Sequence, residues 1–165
     1  MEDKLWRILE NVNKWLDYAE RKNTILLSFI GIQLTVWKTF IKVPNGWLIA
    51  AYVFLGICFL VTLISFFPQT FIPEWIYIVV KDKSLAQEND NLTFFGHISK
   101  YSLHEYAEKL EKYFDSEIIS NQPLMDICSQ IIVNAQIATK KYNMFKFSTW
   151  LMIVGEILFL ISLWV

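Results

Sequence analysis

The sequence predicts an all-α, or mostly all-α, membrane protein with three transmembrane helices and a small cytoplasmic unit between the second and third. Three observations carry that expectation. The 165 residues are 55% hydrophobic and only 19% charged, too apolar for an ordinary soluble domain of this size. The apolar residues gather in three blocks, residues 24–41, 47–67 and 147–165, each long enough for the roughly 17–25 residues that a helix needs to cross a bilayer. The basic residues fall mainly on one side of those blocks. Net charge is -1, so composition gives no argument for a nucleic-acid binder.

The first segment, residues 1–23, mixes Glu2 and Asp3 with Lys4 and Arg7, and the first apolar block opens only near Thr24. No cleaved leader is expected there. Leu5, Leu9, Val12, Leu16 and Ala19 repeat at spacings of four and three, a heptad-like seam. No proline or glycine interrupts it before Gly31, so one helix is expected from near Asp3 to near Lys42. The seam suits a helix lying on the membrane with Trp6 and Trp15 in the headgroups, or equally one that contacts another subunit.

Residues 24–67 read as a transmembrane hairpin. Its turn is "KVPNG", where Pro44, Asn45 and Gly46 favour a tight reversal. Trp37, Trp47, Trp150 and Trp164 fall near predicted span ends, where indole rings favour the headgroup zone. Lys4, Arg7, Lys14, Arg21 and Lys22 precede the first span, and Lys81, Lys83, Lys100, Lys109, Lys112, Lys140, Lys141 and Lys146 lie between the second and third. Only Lys38 and Lys42 belong to the hairpin tip. The positive-inside rule then places the N-terminus and the middle segment in the cytoplasm, with the tip and the C-terminus outside.

Residues 68–146 form the expected cytoplasmic sensing segment. "FIPEWIYIVVK" is apolar and β-branched, and periodicity does not choose between strand and helix for residues 74–83. "QENDNLTFFGHISKY" turns from polar to aromatic, with Gly96 permitting a bend. In "SLHEYAEKLEKYF", Ser102 and Glu105 have capping-box spacing, and Leu103, Tyr106, Leu110 and Tyr113 line one face. Pro123 suits the first turn of another helix. Along it Leu124, Ile127, Ile131 and Ala138 share a face that Asn134 interrupts, and the helix is expected to feed directly into the third span, residues 147–165.

Enzymatic motifs are missing: there is no Walker loop, glycine-rich dinucleotide turn, HExxH or nucleophile elbow. No catalytic residue and no cofactor is expected. His97 and His104, with Glu108 one turn on, fall short of the three or four ligands of a zinc site, and no metal is expected. Cys58 and Cys128 lie in blocks of different polarity and should not pair.

Inside the spans, Glu156 stands out. It lies about 13 Å into the third span from Phe147, near the bilayer centre, where a charge costs about 2.5–3.5 kcal/mol. Gln33 lies equally far into the first span from Thr24. Glu156 is therefore either a protonated polar link, bonded to Gln33 or a backbone carbonyl, or a pore or gate residue facing a water-filled axis. Lys38, about 21 Å along the first span, either snorkels to the outer headgroups or serves as a cation partner for Glu156.

Three stretches resemble the transmembrane effector family of Pycsar, the bacterial anti-phage system that signals with cyclic pyrimidine nucleotides. "KWLDYAERKNTILLSF" is similar to the family's opening Trp, Ala-acidic pair and Lys before an apolar span. "NLTFFGHIS" is similar to its Asn-x-x-Phe-Phe-Gly-x-Ile segment. "QIIVNAQIATKKY" is similar to the Gln-rich helix that leads into its last span. The order and spacing agree over nearly the whole chain.

The resemblance implies a multi-pass effector of the bacterial inner membrane whose activation damages that membrane in infected cells. The implied partners are membrane lipid and a nucleotide signal from an associated cyclase or nucleotidyltransferase; the sequence does not name the nucleotide, or say whether it activates or inhibits. Three spans cannot enclose an aqueous path alone, so a conducting form requires a homo-oligomer, and a tetramer is expected. Phe94, Phe95 and Gly96 could offer a base a stacking surface with His97, Lys100 and Lys141 near its phosphate, or both phenylalanines could be core. Arg7, Arg21, Lys22, Lys140 and Lys141 suit membrane anchoring or an anion site shared between subunits. The competing class is a non-conducting membrane adaptor that recruits a soluble partner through its N-terminal helix.

Overall fold

The computed structural model describes residues 1–40, 45–67 and 86–164, apart from the side chain of Phe40. The described residues form five helices and no strand: α1 (Glu2–Phe40), α2 (Gly46–Ile64), α3 (Phe95–Ile98), α4 (Leu103–Phe114) and α5 (Gln122–Ser162). Most of the expected hairpin turn and all of residues 74–83 lie outside the described residues. The long first helix matches the absence of breakers before Gly31. Gly155 likewise does not interrupt α5.

Contacts divide the chain into two units, one of Met1–Ala19 with Lys81–Lys141 and one of Glu20–Val80 with Tyr142–Val165.

In the first unit the N-terminal seam is core. Leu5, Val12 and Ala19 are fully buried and Leu9 nearly so. The seam therefore packs inside its own unit, with Leu16 half-buried. The physical reason is that α5 supplies a matching apolar face, with Leu124, Ile127, Ile131 and Ala138 all buried. Asn134, which interrupts that face, donates to Asn13 Oδ1 at 2.8 Å, so the interruption is a polar cross-link between the helices.

α4 begins with the expected capping box. Ser102 Oγ accepts from the Glu105 N–H, and Glu105 Oε2 accepts from the Ser102 N–H at 2.9 Å. It ends at Asp115, whose φ of 49° is left-handed. Tyr106 and Leu110 are buried as expected and Ala107 joins them, but Tyr113 is 71% exposed. The helix stops one residue later, and Tyr113 stands against Phe114 at 4.9 Å instead of entering the core.

The second unit packs the later part of α1 against α2 and the end of α5. Leu26, Ile30 and Trp37 meet Leu48, Ala51, Leu55, Cys58 and Phe159. Trp37 stacks on Phe159, with ring centroids 4.4 Å apart and planes 4° apart. Only 2% of Trp37 is exposed, so it is a packing residue and not a headgroup anchor; Trp47, Trp150 and Trp164 are exposed. Close approach of α5 is made possible by Gly155, where a Cβ would already touch the Ala51 carbonyl at 3.6 Å. Asn45 caps α2 by accepting from the Leu48 N–H at 2.9 Å, and its amide donates to the Ser162 carbonyl near the end of α5.

Two helices, α2 and α5, contain stretches long and apolar enough to cross a membrane. They are covered with exposed apolar side chains, Ile49, Val53 and Ile57 on α2 and Ile153, Ile157 and Leu160 on α5. A soluble protein does not leave such a band to water. The chain is a helical membrane protein.

Candidate functional site

Two polar constellations stand out, one in each unit.

In the first unit the segment before α3 is organised around Asp90, whose side chain is 4% exposed. Its Oδ2 accepts from the Gln87 N–H at 2.8 Å, and Oδ1 lies 3.4 Å from Lys100 Nζ and 3.5 Å from His97 Nδ1. The Tyr101 hydroxyl lies 2.8 Å from the Gln87 carbonyl and 3.1 Å from Asp90 Oδ2, with one proton to give. It also accepts from Lys109 Nζ at 2.9 Å. Burial opposes ionisation of Asp90, but the Gln87 and Tyr101 hydrogen bonds, with the Lys100 charge, together hold its pKa below the usual value. His97 Nδ1 accepts from the Asn91 N–H at 2.8 Å. That bond requires Nδ1 to be the unprotonated nitrogen of a neutral ring.

The predicted nucleotide residues separate within this frame. Phe94, Gly96, His97 and Lys100 come together, with Phe94 edge-on to His97 at 5.3 Å. Phe94 is 36% exposed, whereas Phe95 is buried against Trp15 at 5.3 Å. Phe95 is therefore core, and Phe94 is the ring with a free face. Gly96 leaves room for that ring, since a Cβ there would stand 2.8 Å from Phe94 Cε1. Lys141 is buried in α5, and its neighbour Lys140 has its pKa lowered by burial.

Beside this segment is a cleft of about 910 Å³, lined by Glu88 to Thr93 and by α4 residues that include Glu108, Lys112 and Tyr113. None of the predicted nucleotide residues lines it. Sequence reading missed the cleft and also Asp90, which has no motif: its role depends on Gln87, Tyr101 and Lys100 folding back on it. Near the end of α4, Glu111 accepts from the Ile118 and Ile119 N–H groups at 2.6 and 2.7 Å, fixing the loop after the helix.

In the second unit, Gln33 Nε2 donates to Glu156 Oε1. Gln33 is 6% exposed and Glu156 is half-buried. The two residues that the sequence places level with each other do meet. Lys38 is exposed and is not part of that pair. Lys22 lies over the rings of Tyr142 at 5.0 Å and Phe145 at 5.6 Å. Cys58 and Cys128 are free and buried.

The family model of the Pycsar effector protein domain, PycTM, matches residues 4–165. Searches of curated proteins and of solved structures return no match.

Proposed function

The chain belongs to the Pycsar effector family, which acts in anti-phage defence, and on that premise we propose that it is a nucleotide-controlled membrane effector forming an ion-conducting homo-oligomer in the bacterial inner membrane. Opening of the pore depolarises the membrane and stops the infected cell.

The observation that carries the membrane part is the three-helix packing of the second unit. α2 and α5 have span length and an apolar outer surface. Residues 24–40 of α1 pack along both through Leu26, Ile30 and Trp37. If two of the helices cross the bilayer, the third crosses with them, which supports three spans. The basic residues before the first span and between the second and third favour a cytoplasmic N-terminus.

Control by a nucleotide is assigned to the first unit. Its cleft falls within the range of about 300–1,000 Å³ common to small-molecule sites. The exposed ring of Tyr113 in the cleft, and that of Phe94 outside its lining, suit base stacking, and Lys112 suits a phosphate. Lys100 and Lys109 are held by the Asp90 and Tyr101 network and act in this reading by shaping the loop. Lys141 is as buried as Phe95. The nucleotide comes from an associated cyclase or nucleotidyltransferase. Binding biases a two-state arrangement, and the unbroken α1 and α5, which supply residues to both units, carry it. A tetramer is the proposed conducting form.

The adaptor reading needs an N-terminal face available to a partner. The seam of Leu5, Leu9, Val12 and Ala19 is already buried, which counts against it. The test is ion flux from liposomes holding the purified full-length chain, with a panel of cyclic and linear nucleotides added. Flux that rises with one of them supports the reading. Tight nucleotide binding without flux at any protein density would reject the pore.

A further inference from the structure

The three membrane segments differ in what they show outward. In residues 24–40, 46–64 and 147–162, the exposed polar side chains are Thr24, Ser28, Thr35, Lys38 and Thr39, and all of them are on α1. Every exposed side chain of the other two segments is apolar or belongs to glycine. Thr24, Ser28, Gly31, Thr35 and Lys38 follow one another at spacings of four, three, four and three. At about 100° per residue they occupy an arc of about 80°, and Gln33, Ile30 and Trp37 lie on the opposite side of the helix. The inward face of α1 holds the polar link to Glu156 and the packing on α2 and α5. The outward face is a separate polar seam.

Lipid tails cover the apolar surfaces of α2 and α5 at no cost. They offer nothing to a lysine or a row of hydroxyl oxygens. The Thr24, Ser28 and Thr35 hydroxyls donate to carbonyls four residues back, at 3.0, 3.0 and 3.2 Å. Their protons are thereby satisfied, and their oxygens remain as acceptors. Gly31 has open space where a Cβ would stand, so another helix can approach the backbone at the middle of the seam. The 4-3-4-3 spacing is that of one helix packing on another.

We propose that copies of this chain meet in the membrane on the Thr24–Ser28–Gly31–Thr35–Lys38 face of α1, which places that face, and not Gln33 or Glu156, around the central axis of the oligomer. The inference rests on the oligomeric reading above and names its contact surface. Lys38 marks the end of the axis where water reaches it, because several ammonium groups cannot gather in a dry centre.

Oxidative cross-linking of the full-length chain in liposomes tests this. Cys58 and Cys128 are buried, so the wild-type chain is the control that yields no covalent dimer. Ser28→Cys and Thr35→Cys should each give dimers with copper phenanthroline, while Val53→Cys and Ile157→Cys, on the apolar faces, should not. Adding Gly31→Leu to Ser28→Cys should remove the dimer, and circular dichroism should show unchanged helix because that side chain has free space in the protomer. Dimers through Val53 or Ile157 in place of Ser28 and Thr35, or a Ser28 dimer that survives Gly31→Leu, overturn the assignment. Nucleotide-dependent flux measured in the same liposomes separates the two ideas. Flux with cross-links only on the apolar faces sinks this interface and leaves the pore. Cross-links on the α1 seam without flux sink the pore and leave the interface. Monomers under every condition sink both.

Discussion

The side-chain amide of Gln33 on α1 donates to the carboxyl of Glu156 on α5, inside the helix bundle of the second unit. Two polar residues 123 positions apart are thus each other's partner in an apolar medium. Glu156→Gln keeps the size and can accept the same bond, so assembly and ion selectivity should match wild type. Glu156→Leu strands the amide of Gln33, which is only 6% exposed. Its cost should fall in the range of about 0.6–2 kcal/mol typical of polar links between membrane helices. Unfolding in detergent, beside reversal potential in planar bilayers, separates the outcomes. A selectivity change in Glu156→Gln would return Glu156 to the pore axis.

Lys100 pairs with Asp90 at 3.4 Å, and both side chains are largely buried. Lys100→Ala should therefore destabilise the first unit as well as weaken any nucleotide response. The double variant Asp90→Asn with Lys100→Ala should lose less than the two single variants added together, with a coupling of about 0.5–3 kcal/mol. Chemical denaturation of the four proteins gives that number. If Lys100→Ala lowers nucleotide affinity at unchanged stability, Lys100 touches the ligand directly.

Much of this architecture was legible in the sequence because local signals and packing agree. The run without breakers to Gly31, the Ser102–Glu105 box and the Leu124–Ala138 face became α1, α4 and the buried side of α5. The depth of Gln33 and Glu156 below their predicted span starts was enough to pair them. What the sequence hid depends on long-range closure. Trp37 has the position of a headgroup anchor, yet Phe159 offers it a stacking partner. The seam at Leu5 to Ala19 has the spacing of a subunit contact, but its partner lies in the same chain. The Asp90 network joins five residues that no periodicity relates. The polar seam of α1 became visible only once burial had separated the two faces of that helix.

Gly96→Ala should push Phe94 out of place, because the new methyl group would meet the ring at 2.8 Å. The ring is partly exposed and can swing, so the stability loss should stay below about 1 kcal/mol, as for changes outside a packed core. Its edge-on contact with Trp15 at 6.1 Å would be lost. If the free face of Phe94 stacks on a nucleotide, Gly96→Ala should weaken binding at least several-fold while the melting temperature barely moves. Phe95→Ala, by contrast, should destabilise by about 3–5 kcal/mol whatever the ligand does. Isothermal titration beside thermal melting of both variants checks the distinction, and equal binding by Gly96→Ala and wild type would take Phe94 out of the site.

Acid should loosen the first unit through three carboxylates. Hydrogen bonds from Ser102 hold Glu105 below its usual pKa, and N–H groups of Ile119 and Ile118 do the same for Glu111. Asp90 is also lowered, against the opposing effect of its burial. Each group binds a proton more readily when the chain is unfolded. The unfolded state therefore holds more protons between the folded and unfolded pKa values, and stability rises with pH across that window. The contribution is complete above the ordinary carboxylate range and disappears as pH falls through the lowered values. At neutral pH the loop before α3, the start of α4 and the loop after it should all be protected from hydrogen exchange. Below the ordinary carboxylate range, residues 86–119 should lose protection first, after correction for intrinsic exchange rates. Combining Asp90→Asn, Glu105→Gln and Glu111→Gln should lower protection at neutral pH and remove most of its pH dependence. Protection of that stretch that is the same in mild acid as at neutral pH would show that these carboxylates do not hold the unit together.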